Sequence, residues 1–227
     1  MEKIKKLKKI LRDNNIDGYI IPKNDEYFSE YIANHKDRLQ YISEFSGSYG
    51  FALILYNKNF LFVDGRYTLQ AHKQSGKFFD IKTIPNQMPN NILKKSKLKI
   101  GFDPKLFTKQ NLSAFFGKTN CKYIPLKENL VDKIWFRKEK KVKNKFYTLP
   151  NHSVGEAYQS KINKIVLELK KIGADYRFIT ASENNSWVLN IRGNDSIYTP
   201  ISYSYILIDK KKNINFFCDL NKISASF

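Results

Sequence analysis

Apolar positions in the first 75 residues switch between two periods. Ile4, Leu7, Ile10 and Leu11 recur at helical spacing with lysines between them, which predicts an amphipathic helix with a solvated basic face. Asn14, Asn15 and Gly18 break it, and Tyr19 to Pro22 form a short buried strand. Tyr49 to Tyr56 and Phe60 to Val63 read as two strands joined by Asn57-Lys58-Asn59, where asparagine tolerates the left-handed backbone of a tight hairpin. Asp64-Gly65 then marks the change from extended chain to a helix continued by Tyr67, Leu69 and Gln70. Further on, the pattern gives a strand over Phe78 to Ile84, a helix over Gln87 to Lys95 and a strand over Lys99 to Phe102. A helix capped by Thr108 and running to Phe116 comes next, then a strand over Cys121 to Pro125. Leu130, Val131, Ile134 and Trp135 are spaced to cover one side of a short helix. Strands alternating with helices predict an α/β fold, a mixed sheet with helices packed against it.

From Phe136 to Pro150 the chain turns charged and lysine-rich, the composition of a linker. A helix follows over Val154 to Ile172, stopped by Gly173, then a strand over Tyr176 to Thr180 and a helical stretch within Ala181 to Asn190 that holds Trp187. Tyr203 to Asp209 and Asn213 to Asp219 form a hairpin across Lys210-Lys211-Lys212. The second half thus repeats the order of the first, and two tandem domains of similar topology are the simplest account. The expected division is 1–135 and 153–227 with a linker over 136–152.

Composition narrows the function classes. The chain of 227 residues is 42% hydrophobic, enough for one large core or two modest ones. Its formal net charge of +19 invites a nucleic-acid or membrane reading. Among its 40 basic residues, however, the arginines that read bases and phosphates are few (12, 38, 66, 137, 177 and 192), and the lysines are spread along the chain. A dedicated nucleic-acid role is therefore disfavoured. Cys121 and Cys218 stand far apart without metal-ligand spacing, which points to a reducing compartment and small buried apolar roles. No apolar run approaches the ~20 residues a membrane span needs. The basic N-terminus lacks the continuous apolar core of a signal peptide, so a cytoplasmic protein is expected.

Candidate chemistry is sparse. There is no glycine-rich phosphate loop, no helix with paired histidines, and His35, His72 and His152 fall on different elements. Asp25, Glu26 and Glu30 lie close together without a histidine companion, and a helix start accounts for them. Two arginines stand out. Arg66 sits at the mouth of the strand-to-helix junction beside Asp64, where it either fastens that junction or reaches outward. Arg192 and Asp195 straddle Gly193, a spacing for a turn in which the two pair or face a ligand.

These runs resemble the N-terminal domains of Xaa-Pro aminopeptidases, the aminopeptidase P group of the creatinase/prolidase superfamily. The resemblance is carried by Phe45-Ser46-Gly47-Ser48-Tyr49-Gly50, Val63-Asp64-Gly65-Arg66-Tyr67, Asn129-Leu130-Val131-Asp132-Lys133-Ile134-Trp135, and the run from Trp187 to Asp195 with Pro200, Ser202 and Tyr203 beyond it. Asp25, Ser29, Glu30, Tyr31 and Ile32 also fit the pattern, whereas Tyr27 and Tyr198 stand where the family often has histidine. The resemblance implies two creatinase-like N-terminal domains, the second incomplete, and a catalytic pita-bread domain absent from this chain. That absent domain would hold two divalent metals, usually manganese, and no metal or cofactor is expected on these residues. The implied activity is removal of an N-terminal residue that precedes proline, with this portion inactive alone and serving in substrate gating and assembly. No catalytic residue is assigned; Asp64, Arg66, Arg192 and Asp195 are candidates for the substrate entrance or a domain interface. Implied partners are a short peptide with proline second, the absent catalytic domain and a second copy of the chain. A stand-alone, non-catalytic aminopeptidase-like module that binds a protein or nucleic acid is the competing reading.

Overall fold

The computed structural model describes residues 2–137 and 144–224. The lysine-rich stretch at 138–143, inside the expected linker, lies outside the described residues, as do 225–227 at the end of the expected second domain. Two compact units emerge: Met1–Glu26 with Asn34–Lys138, and Tyr27–Ala33 with Glu139–Phe227.

In the first unit the chain runs α1 (Glu2–Asp13), β1 (Gly18–Pro22), α2 (Arg38–Ser43), β2 (Gly50–Leu55), β3 (Asn59–Asp64), α3 (Thr68–Ser75) and β4 (Asp80–Ile84), then α4 (Pro89–Leu93), β5 (Lys99–Phe102), α5 (Lys109–Phe116) and β6 (Lys122–Pro125). The strands form one mixed sheet in the order β4-β3-β2-β1-β5-β6. β1 and β3 run antiparallel to β2, while β4, β5 and β6 join in parallel. Strand side chains alternate between faces, and both faces are covered. Tyr19, Ile21, Ala52, Ile54, Leu61 and Val63 pack under α1, α2 and α3, while Ile20, Leu53, Phe51, Phe60 and Phe62 pack against α4 and α5. The lysine-flanked stripe of α1 goes inward: Ile4, Leu7 and Leu11 are buried, so the helix docks on the sheet. Thr108 caps α5 as the sequence predicts, its hydroxyl accepting from the Asn111 amide at 3.0 Å.

The second unit runs β7 (Tyr147–Thr148), α6 (Tyr158–Lys171), β8 (Tyr176–Ile179), α7 (Ser182–Val188), β9 (Ile191–Arg192), β10 (Ser204–Asp209) and β11 (Ile214–Cys218). β8, β10 and β11 make an antiparallel sheet with β10 central, and β7 pairs with β9. Ile206 and Ile208 of β10 pack beneath Ile162 and Val166 of α6 and Val188 of α7. α6 ends as expected at Gly173, which adopts φ 69°, with the Gly173 amide bonded to the Lys170 carbonyl and the Ala174 amide to the Leu169 carbonyl.

Three expected elements differ. Leu130 and Val131 are buried and Ile134 and Trp135 pack on the core, but hydrogen-bonded turns carry them where a helix was expected. The segment from Asp25 to Ile32 starts no helix; the cap is Asp37, which accepts from the Gln40 amide at 3.0 Å to open α2. Helix α6 begins only at Tyr158, after extended residues that include Ala157. Within the span read as linker, Phe146 is buried and Tyr147 to Thr148 form β7.

Candidate functional site

The two sequence runs at the centre of the first unit are brought together by the hairpin they flank. At the end of β3, the Asp64 carboxylate accepts from the Arg66 amide at 2.9 Å and so caps a short 3-10 turn, Gly65–Tyr67. Tyr67 then reaches back to the other run: its hydroxyl lies 2.7 Å from Ser48 Oγ, and its ring meets Phe45 edge-on at 5.8 Å. Ser46 completes the clamp, its amide donating to Gln74 Oε1 at 3.0 Å and its hydroxyl accepting from Gln70 and Gln74 of α3. Gly47 is fixed by this crowding, since a Cβ there would fall 2.2 Å from the Phe45 ring. Gly65 is different. A Cβ there would meet nothing within 4 Å, so neither backbone nor packing in this unit requires glycine beside Arg66.

Arg66 itself is 74% exposed and grips Asp64, with Nη2 to Oδ2 at 2.7 Å. That hydrogen bond holds the Asp64 carboxyl below its ordinary range and raises the guanidinium in turn. An exposed pair of this kind contributes little to stability. What the geometry does provide is a positive group on a rigid strand end, pointing to solvent, with its aspartate holding it in one orientation.

In the second unit Arg192 and Asp195 do not pair with each other. Arg192, on β9, donates from Nη1 to the carbonyls of Ser186 at 3.0 Å and Ile191 at 2.9 Å. Asp195 is 9% exposed; its Oδ2 accepts from the Tyr203 amide at 2.7 Å and its Oδ1 from the Lys222 ammonium. The turn is therefore fixed by an aspartate and a lysine 27 residues apart. Gly193 between them has no room for a side chain, because a Cβ would come within 2.8 Å of Phe146.

Sequence reasoning missed the strongest electrostatic cluster. Arg38, 5% exposed, is gripped in a fork by Asp132 (Nε to Oδ1 2.9 Å, Nη2 to Oδ2 2.8 Å) and shares Nη2 with Glu26 at 2.8 Å. Burial alone would raise the Glu26 carboxyl, but Lys36 and Arg38 overcome it and bring it down to about 2. Asp132 is likewise lowered, against its burial, by Arg38 and Arg137. The partners lie 94 residues apart, so no local spacing announces them; the one hint is an arginine in a chain that has few. Also missed was Lys161 in the second unit. Its buried ammonium donates to the Trp187 carbonyl and to Asn190 Oδ1, both at 2.6 Å, and lies 4.0 Å from the Trp187 ring centre. Burial pushes its pKa down.

Among the described residues, no group of three or more histidine, cysteine, aspartate or glutamate side chains could hold a metal ion. Among the described residues, no helix is long and apolar enough to cross a membrane.

Two models of the creatinase/prolidase N-terminal domain match the chain, over residues 3–134 and 137–227. Xaa-Pro aminopeptidase 1 of Dictyostelium discoideum is 31% identical over 98% of the chain, and a probable Xaa-Pro aminopeptidase P of Laccaria bicolor is 31% identical over 95%. Among solved structures, the X-prolyl aminopeptidase of Caenorhabditis elegans, described as a cytosolic enzyme with a di-nuclear active site, superposes on 99% of the chain with a TM-score of 0.90 at 26% identity. The chain spans 38% and 35% of the two relatives and 40% of the solved chain.

Proposed function

The chain belongs to the creatinase/prolidase family through its N-terminal domains, and on that premise we propose that it is the non-catalytic N-terminal portion of an Xaa-Pro aminopeptidase. The observation that carries this reading is the likeness to the Caenorhabditis elegans enzyme, which extends over both units. The whole enzyme would remove an N-terminal residue that precedes proline. Its two metals, with manganese the expected ion, would sit in a catalytic portion beyond these residues. A homodimer, a cytoplasmic location and the division into domains at 1–135 and 153–227 about a linker at 136–152 belong to the same reading.

In this reading the units shape the approach to a site held elsewhere. Arg66 offers an exposed guanidinium kept in place by Asp64, suited to a carboxylate on a peptide or on the catalytic portion. The open space at Gly65 supports this, because a close partner can approach the backbone there. Arg192 and Asp195 act differently, as the braces of the turn that follows β9.

The test is made in a full-length relative that carries these residues. Arg66→Ala is expected to lower kcat/KM for an Xaa-Pro peptide, or to weaken dimerisation, with the fold intact by circular dichroism. Unchanged cleavage and unchanged dimer stability in both Arg66→Ala and Arg192→Ala would remove the entrance and interface roles from these residues.

A further inference from the structure

Glu26, Arg38, Asp103, Lys105, Lys127 and Asp132 surround a cleft of about 400 Å³ in the first unit, and none of them is among the residues given an entrance or interface role above. Its carboxylates are already engaged. Glu26 holds Lys36 and Arg38, and Asp132 holds Arg38 and Arg137. Asp103 accepts from the Lys105 amide at 3.0 Å and from Asn129 Nδ2 at 2.9 Å, and Glu128 on the rim pairs with Lys133 at 2.9 Å.

The positive groups are not all engaged. Arg38 Nη1 is buried with no hydrogen-bond partner, although Nε and Nη2 of the same guanidinium are fully committed. Lys105 and Lys127 stand exposed on the wall; among the described residues neither ammonium makes a hydrogen bond or salt bridge, and the Lys127 charge acts on Glu128 only at longer range. A buried donor left unmade is costly, and in native structures such a group is ordinarily completed by water or an ion. Four cationic side chains and four carboxylates line the cleft, but the carboxylates are committed to cations or amides, so the groups left over are the donors of Arg38, Lys105 and Lys127, which suit negative charge.

We propose that this cleft binds an oxyanion, a phosphate or carboxylate group, clamped by Lys105 and Lys127 over the fixed guanidinium of Arg38. The two exposed lysines adjust to the ligand, and the fork from Asp132 keeps the guanidinium from turning away.

The test is isothermal titration calorimetry of the whole chain at low ionic strength with inorganic phosphate, and separately with acetate. Saturable binding with a Kd below about 10 mM is expected for at least one anion. Whichever binds tighter identifies the group. Because the chain carries a formal charge of +19, a control is needed for its general field. Lys105→Gln/Lys127→Gln is expected to weaken binding about tenfold, and Lys5→Gln/Lys9→Gln, which removes the same charge from the exposed face of α1, less than about twofold. All four lysines are exposed, so both double variants keep the fold. Absence of saturable binding by the parent chain, or equal losses in the two double variants, would overturn the proposal.

Discussion

The two units follow one plan and finish it differently. The first opens α1, β1, α2, then the β2–β3 hairpin, then a 3-10 turn capped by Asp64. After β7 the second runs α6, β8, α7, then, past the short strand β9, the β10–β11 hairpin and a 3-10 turn capped by Asp219, whose carboxylate accepts from the Asn221 amide just as Asp64 accepts from Arg66. In the first unit β4, β5 and β6 extend this kernel and α4 and α5 cover its second face. Phe51 and Phe62, partners across β2 and β3, stack at 4.8 Å under Phe115 and Phe116. Their counterparts across β10 and β11 are Tyr205 and Phe217. On that face Tyr176, Phe178 and Phe217 are more than half exposed, and Tyr27 stacks on Tyr205 at 5.2 Å and on Tyr203 at 4.5 Å. A shared kernel therefore does not fix the size of the core. What is laid over its outer face does.

One tryptophan in each unit, Trp135 and Trp187, lets the comparison be broken experimentally, because single-tryptophan variants report the urea unfolding of each unit separately. The largest contrast is between counterpart aromatics. Phe51→Ala, at 4% exposure, is expected to cost the first unit about 3–5 kcal/mol, whereas Phe217→Ala, at 51% exposure, is expected to cost the second less than about 1 kcal/mol. Similar losses at both positions would mean that the outer face of the second sheet is as well packed as that of the first. Next is Arg38→Ala, expected to cost about 3 kcal/mol in the Trp135 signal by stranding Asp132 and Glu26. Lys161→Met is expected to cost the second unit about 1–3 kcal/mol, read from Trp187, because the Trp187 carbonyl and Asn190 Oδ1 lose their donor.

Acid sharpens the contrast further. Glu26 and Asp132 have folded pKa values below their unfolded ones, so their contribution is complete above the ordinary carboxylate range and is lost as pH falls toward about 2. The Trp135 transition should therefore weaken with acid between about pH 5 and pH 2, and Arg38→Ala should flatten that dependence. The smallest expected effect is that of Arg66→Ala on stability, no measurable shift in the urea midpoint of the Trp135 transition, since its pair with Asp64 is exposed. That near-silence makes Arg66 a clean probe of function.

Much of the kernel was legible because it rests on local rules. The stripe of α1, the hairpin on either side of Asn57-Lys58-Asn59, the Thr108 cap and the Gly173 stop are written within a few residues of where they act. The misreadings came where a distant neighbour decides. Residues 130–135 have a helical apolar pattern, yet they are pinned as turns against the core, with the Ile134 carbonyl held by the Tyr41 hydroxyl at 3.0 Å. Residues Tyr27–Ala33 group with the second unit through Tyr27, stacked on side chains some 175 positions along the chain, and no local pattern encodes that. The candidate site was half visible. Asp64 and Arg66 pair within a single turn and could be anticipated, whereas the Lys222 partner of Asp195 and the Asp132 partner of Arg38 are set only by the folded chain.

The central claim is that these residues support hydrolysis carried out elsewhere. Its most direct measurement is the release of the first residue from an Xaa-Pro peptide by the purified chain in the presence of manganese. We expect no release above the rate without protein. Metal-dependent release that stays with the chain through repurification, with no other polypeptide present, would contradict the account.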